Sequence, residues 1–180
     1  MANPLYDSLF GKHEKNTAPF LHFLNGKNIC YKNFLSLSRQ YANTLIRIGL
    51  SKGDRVVVQV KKSPESLAVY AACVQSGLVF LPLNTAYTPS ELTFFLEDSK
   101  AKLFIGEESK KEELIEIAKK SESMFETLSE GGKGTFAEKS HKMKDSFDTI
   151  DQNSEDLVAI LYTSGTTGKP KGAMLSQGNL

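Results

Sequence analysis

The chain has 180 residues, enough for one domain with a packed core, and its 40% apolar and 24% charged content is globular rather than disordered or fibrous. Its 22 basic and 21 acidic residues leave a net charge of +1, which gives no electrostatic basis for binding nucleic acid or an anionic membrane surface. No apolar run approaches the roughly 18 residues of a membrane-spanning helix, and Asp7, Lys12 and Glu14 interrupt any signal-peptide pattern, so a cytoplasmic protein is expected.

Asn3 followed by Pro4 is a helix start, a cap residue before a proline in the first turn, and predicts a short helix through Phe10. Residues 18–24 and 28–31 flank Asn25-Gly26 and predict a β-hairpin. His13 and His22 fall here without partners at ligand spacing and read as ordinary surface or strand residues. From Lys32 to Ile48, the spacing of Phe34, Leu37, Tyr41, Leu45 and Ile48 predicts an amphipathic helix with Gly49 as its stop. Arg55 to Val60 is a β-branched strand, Ser63-Pro64-Glu65 opens a helix through Gln75, and Leu78 to Leu81 is a short buried strand. Cys30 and Cys73 lie far apart without metal-site spacing and are expected to be reduced thiols.

Thr88-Pro89-Ser90-Glu91 is a capping box, so a helix is expected from Pro89 to about Asp98. A strand over 102–105 and a charged helix over 107–120 follow. This alternation predicts an α/β fold with a largely parallel sheet flanked by helices. Residues 129–146 break it. Their glycines and lysines (Lys133, Lys139, Lys142, Lys144) are diluted by Glu130, Glu138 and Asp145 and read as a solvated stretch, which includes His141 and one short helix after Thr135, rather than a basic binding patch.

The chemistry-bearing stretch comes last. The apolar run Leu157 to Leu161 reads as a buried strand and feeds Tyr162-Thr163-Ser164-Gly165-Thr166-Thr167-Gly168-Lys169-Pro170-Lys171-Gly172. Glycines let backbone N–H groups approach an anion, hydroxyls add donors, and lysines add charge, so the composition fits a phosphate cradle. The nucleotide-binding P-loop pattern does not fit. Thr163 stands where its first glycine would be, and Pro170 stands where its Mg²⁺-binding hydroxyl would be. Pro170 also prevents the loop from running straight into a helix. The plain alternative is a glycine-rich hairpin to Ala173-Met174-Leu175, set aside because ordinary hairpin loops have about 2–5 residues.

Residues 163–172 resemble the signature phosphate loop of the adenylate-forming (AMP-dependent synthetase/ligase) superfamily, which includes acyl-CoA synthetases, luciferases and peptide-synthetase adenylation domains. Met1-Ala2-Asn3-Pro4-Leu5, Phe80-Leu81-Pro82-Leu83-Asn84-Thr85-Ala86-Tyr87 and Ala173-Met174-Leu175-Ser176 are most similar to malonyl-CoA synthetases. The resemblance implies that residues 1–180 are the N-terminal portion of an adenylation domain, cut after the phosphate loop. It also implies a ligase that uses ATP with Mg²⁺ to activate a small-molecule carboxylate as an acyl-adenylate and passes the acyl group to coenzyme A.

Within that scheme Thr163, Ser164, Gly165, Thr166, Thr167, Gly168, Lys169 and Lys171 hold the β- and γ-phosphates of ATP. For Lys171 an ion pair that pins the loop stays open beside phosphate contact. Where family members carry histidine after the loop, this chain has Gln177. The adenine, ribose, catalytic-lysine and coenzyme A sites are expected beyond Leu180, so residues 1–180 alone are expected not to catalyse adenylation. Alternatives are an enzyme that adenylates a fatty, aryl or amino acid, or a non-catalytic phosphate-binding module.

Overall fold

The computed structural model describes residues 2–163 and 170–180. Helix α1 (Pro4–Leu9) begins at Asn3, whose side chain accepts the N–H of Tyr6, and is followed by a 3-10 turn over Gly11–His13. Strands β1 (Pro19–His22) and β2 (Asn28–Cys30) pair antiparallel around Asn25-Gly26, with Gly26 at φ +82°. Helix α2 (Tyr31–Arg47) buries Phe34, Leu35, Tyr41 and Leu45 along its apolar stripe.

Strand β3 (Arg55–Gln59), helix α3 (Pro64–Ser76), strand β4 (Val79–Pro82), helix α4 (Pro89–Ser99) and strand β5 (Leu103–Gly106) follow. After β5 come α5 (Lys111–Lys120), β6 (Met124–Thr127), α6 (Thr135–Ser140), β7 (Leu157–Thr163) and β8 (Lys171–Ser176). The expected helix over 107–120 divides into a 3-10 turn at Glu108–Lys110 and α5 proper.

The main sheet has six strands in the order β6-β5-β3-β4-β7-β8, parallel throughout except for the antiparallel β7–β8 pair. The strand period of two divides its side chains between two cores. Val56, Val58, Leu103, Ile105 and Val158 face α1, α2, α3 and α6. Val57, Val79, Leu81, Phe104 and Ile160 face α4 and α5. Each fully buried Val, Leu, Ile or Phe is worth roughly 1.5–3 kcal/mol of burial, which explains why β3, apolar on both faces, sits at the centre. Helices on both faces of a largely parallel sheet match the expected α/β class.

Residues 129–146 are not only a solvated stretch. Helix α6 buries Phe136 and Ala137 against α2, and Lys139 pairs with the nearly buried Glu126 at the end of β6. Lys139 is thus tied into the fold through that ion pair.

Candidate nucleotide-binding site

Strand β7 lies beside β4 in parallel register at Phe80↔Ala159, so its carboxyl end emerges at the same edge of the sheet as those of β3 and β4. That edge is where open α/β sheets bind ligands. Strand β8 then returns along β7 with Ile160↔Met174, Leu161↔Ala173, Tyr162↔Gly172 and Thr163↔Lys171 opposed. The stretch on either side of the loop is thus a hairpin. Loop length argued against a plain hairpin, but the length rule concerns short turns, whereas here paired strands fix the register and carry a longer connection. Pro170, which has no N–H to give, stands just before β8 rather than within its ladder.

The structure places Thr163 and Lys171 directly across from each other, both exposed, at the open end of the β7–β8 ladder. Lys171 makes no ion pair among the described residues, so the pinning salt bridge left open for it is not seen. Ser164, Gly165, Thr166, Thr167, Gly168 and Lys169 lie outside the described residues.

Tyr162 ties the hairpin to α4. Its ring centroid lies 4.5 Å from that of Phe95, and its hydroxyl donates to Asp98 Oδ2 at 2.5 Å. Burial, reinforced by the hydrogen bond to Asp98 and its negative charge, pushes the phenol's pKa well above its ordinary value, so it stays a donor across working pH. Gly172 answers Tyr162 across the ladder. A Cβ there would stand 3.0 Å from Ile160 Cγ2 and 3.4 Å from the Tyr162 ring, so glycine leaves room for the tyrosine to lie flat.

At the same sheet edge, a cleft of about 1000 Å³ opens between the ends of β3 and β4 and the start of α3. Val60, Leu67 and Phe80 contribute apolar wall, and Lys61, Lys62 and Asn84 contribute polar rim. Gln59, buried at the end of β3, donates from Nε2 to the Asn84 carbonyl at 2.9 Å. The Lys61 N–H donates to Glu107 Oε1 at 2.6 Å, which joins the ends of β3 and β5. Phe80 and Asn84 lie in a stretch that carries the family resemblance, but the sequence did not mark Gln59, Val60, Lys61, Lys62, Leu67 or Glu107 as site residues. The available signal was polar residues immediately after two buried parallel strands.

Gln177 sits behind the hairpin, 4% exposed, just past the end of β8. Its Oε1 accepts the Leu5 N–H at 2.9 Å, and its Nε2 donates to Asn3 Oδ1 and Gln152 Oε1. Asn3 Nδ2 continues the network to the Val74 and Ile150 carbonyls. Three buried carboxamides thereby fasten the foot of β8 to α1 and to the segment leading into β7.

Among the described residues, no helix is long and apolar enough to cross a membrane. Nor is any group of three or more His, Cys, Asp or Glu side chains placed to hold a metal ion.

The chain is 41% identical to ATP-bound MatB from Rhodopseudomonas palustris, with a TM-score of 0.93 over 100% of this chain and 36% of that one. It is 33% identical over 177 residues to the mitochondrial acyl-coenzyme A synthetase ACSM4 of Mus musculus, covering 93% of this chain and 30% of the relative. It is also 31% identical to the fatty acid–[acyl-carrier-protein] ligase ScoC of Streptomyces coeruleorubidus, over 94% of this chain and 32% of that protein. The chain thus spans about a third of the length of these relatives. A family model described as AMP-binding enzyme matches residues 11–180, and with the parallel sheet and the loop-bearing hairpin at its carboxyl edge, the chain belongs to the AMP-binding enzyme family.

Proposed function

We propose that this chain is the N-terminal portion of the adenylation domain of an AMP-forming acyl-coenzyme A synthetase, of malonyl-CoA synthetase type. The observation that carries the reading is the hairpin whose opposed strand ends, Thr163 and Lys171, bracket a glycine- and hydroxyl-rich connection at the carboxyl edge of the sheet. The 41% identity to MatB over the whole chain supports the malonyl preference.

In the proposed reaction a carboxylate oxygen attacks the α-phosphorus of ATP. A carbonyl-O–P bond forms, the bond from the α-phosphorus to the bridging oxygen breaks, and pyrophosphate leaves. The coenzyme A thiolate then attacks the acyl carbon and AMP departs. Thr163, Ser164, Thr166 and Thr167 supply hydroxyl donors, Gly165 and Gly168 supply close backbone N–H groups, and Lys169 and Lys171 supply charge to the β- and γ-phosphates. These donors act where charge grows on the leaving group, which is where electrostatic stabilisation lowers a barrier. Mg²⁺ accompanies the triphosphate as its counter-charge, and no residue of this chain is assigned to it. The same proposal places the protein in the cytoplasm.

The test is ATP–pyrophosphate exchange by the full-length enzyme carrying this chain, with malonate, acetate, octanoate and benzoate compared. Malonate is expected to give the highest kcat/KM. Preference for octanoate would favour the second reading, a fatty-acyl synthetase, which the likeness to the mouse acyl-coenzyme A synthetase and the Streptomyces ligase supports. No exchange with any carboxylate would overturn the adenylation reading.

A further inference from the structure

Phe80↔Ala159 is the one registered pair between β4 and β7 among the described residues. Beyond it, Leu161, Tyr162 and Thr163 pair only with β8, whose residues 171–174 are all exposed, and Leu161 is itself 40% exposed. A two-stranded ribbon without a third partner is marginal in water. The carboxyl arm of the hairpin therefore needs an anchor besides its own ladder.

Tyr162 provides it. The ring lies against Phe95 and stands edge-on to Phe94, with centroids at 4.5 and 6.3 Å, and the hydroxyl reaches Asp98 at 2.5 Å. Asp98 is itself held. Arg55 of β3 donates from Nε to the Ser99 carbonyl and from Nη2 to the Lys100 carbonyl, both at 2.7 Å, which fixes the C-terminal turn of α4 to the centre of the sheet. At the other end of α4, the Thr88–Glu91 capping box fixes its start. A chain of contacts thus runs from the central strand through Arg55, the end of α4, Asp98 and Tyr162 to the residue next to Thr163.

We propose that Asp98 and Tyr162 form a latch that sets the hairpin against α4, making Tyr162 a positioning residue for the nucleotide phosphates. The inference rests on the reading of residues 163–171 as the ATP phosphate site. Tyr162→Phe keeps the ring and its packing and removes only the hydroxyl. A hydrogen bond to a carboxylate at a partly exposed site is worth enough that its loss should weaken ATP binding about three- to tenfold.

The experiment measures KM for ATP, kcat and Tm for the full-length enzyme with Tyr162→Phe, Asp98→Leu, Asp98→Asn and the Tyr162→Phe/Asp98→Leu double variant. The latch predicts a raised KM for ATP in both single variants, with kcat changed less than KM. It also predicts a double variant no worse than either single, and recovery in Asp98→Asn, which keeps an acceptor oxygen. An unchanged KM for ATP in Tyr162→Phe and Asp98→Leu, whatever happens to Tm, overturns the latch, as do effects that simply add. If Tyr162→Phe does not fold, the exposed Asp98 variants carry the same test, with recovery in Asp98→Asn supporting the latch and a KM insensitive to Asp98→Leu overturning it. A wild-type enzyme without ATP-dependent exchange overturns the phosphate-site reading and the latch together, whereas ATP use that is indifferent to both positions overturns the latch alone.

Discussion

Thr163 and Lys171 are partners across the β7–β8 ladder, so the two ends of the candidate phosphate loop are held side by side at the edge of the sheet. Seven residues, 164–170, therefore connect two strand ends already fixed in register. A hydroxyl from one strand and an ammonium from the other flank the same opening, an arrangement suited to an anion that must enter and leave.

Lys171 is exposed and has no ion-pair partner among the described residues, so its charge is available to a ligand. Lys171→Ala in the full-length enzyme should raise KM for ATP about three- to tenfold, as expected for loss of one solvent-exposed charge-assisted contact. The same change should move folding stability by no more than about 0.5 kcal/mol, because surface substitutions away from packed features rarely do more. Initial-rate kinetics and denaturant unfolding would separate the two effects.

Gly134 tests the packing behind α6. It holds φ +105°, and a Cβ there would stand 2.4 Å from the Thr127 carbonyl oxygen. Backbone strain and a backbone clash coincide at one position, and neither can relax by a side-chain rotation. Gly134→Ala should cost more than about 2 kcal/mol of unfolding free energy, whereas Gly131→Ala, with positive φ but open space around it, should cost less. Urea unfolding of both variants would decide the order.

What the sequence made legible was local. The apolar stripe of α2, the capping box at Thr88 and Glu91, the Asn25-Gly26 turn and the central valines of β3 each carry their signal within a few residues, and each appears in the structure. Strand β6 had no such signal. Its four residues Met124–Thr127 follow a turn in which Glu122 takes φ +56°, and the strand exists through its parallel pairing with β5. The antiparallel return of β8 lacked such a signal too, since its residues 171–174 are all exposed and show no alternation, and the strand exists through its pairing with β7. The candidate site is read from its motif, and residues 164–169 of it lie outside the described residues, while the Tyr162–Asp98 contact spans 64 positions and follows only from the fold.

Asp156 gives a pH signature. Its carboxylate accepts from Lys52 Nζ at 2.7 Å and from the Asn153 N–H at 2.9 Å, and the Lys52 hydrogen bond leads in holding its pKa below the ordinary value. A carboxyl depressed in the folded state adds stability that is fully present above its unfolded pKa, about 3.9, and is lost as pH falls through the folded value. Wild-type stability should therefore fall more steeply with acid below about pH 4 than that of Asp156→Asn. Unfolding free energies at pH 3, 4 and 6 would show parallel curves if the carboxylate carried no such linkage.

Gln177 carries the last prediction. Its carboxamide joins β8 to α1 by accepting the Leu5 N–H and donating to Asn3 and Gln152, all three side chains being buried. Gln177→Leu fills similar volume but strands the Leu5 N–H and the Gln152 carboxamide oxygen, while Asn3 Oδ1 keeps the Tyr6 N–H, and each buried group left unpaired costs about 1–3 kcal/mol. Loss of about 2–4 kcal/mol is expected, allowing for partial repair by water. Histidine can accept from Leu5 with one ring nitrogen and donate with the other, so Gln177→His should recover much of the loss at pH 8. Protonation would turn the accepting nitrogen into a donor aimed at the Leu5 N–H. The folded-state pKa of that histidine is thereby lowered, and its contribution should be present above about pH 6.5 and lost below it. The native carboxamide has no proton to gain, so wild-type stability should stay flat across that range at this site. A Gln177→His variant whose stability tracked wild type from pH 8 to pH 5 would show that this contact does not bear on the anchoring of β8.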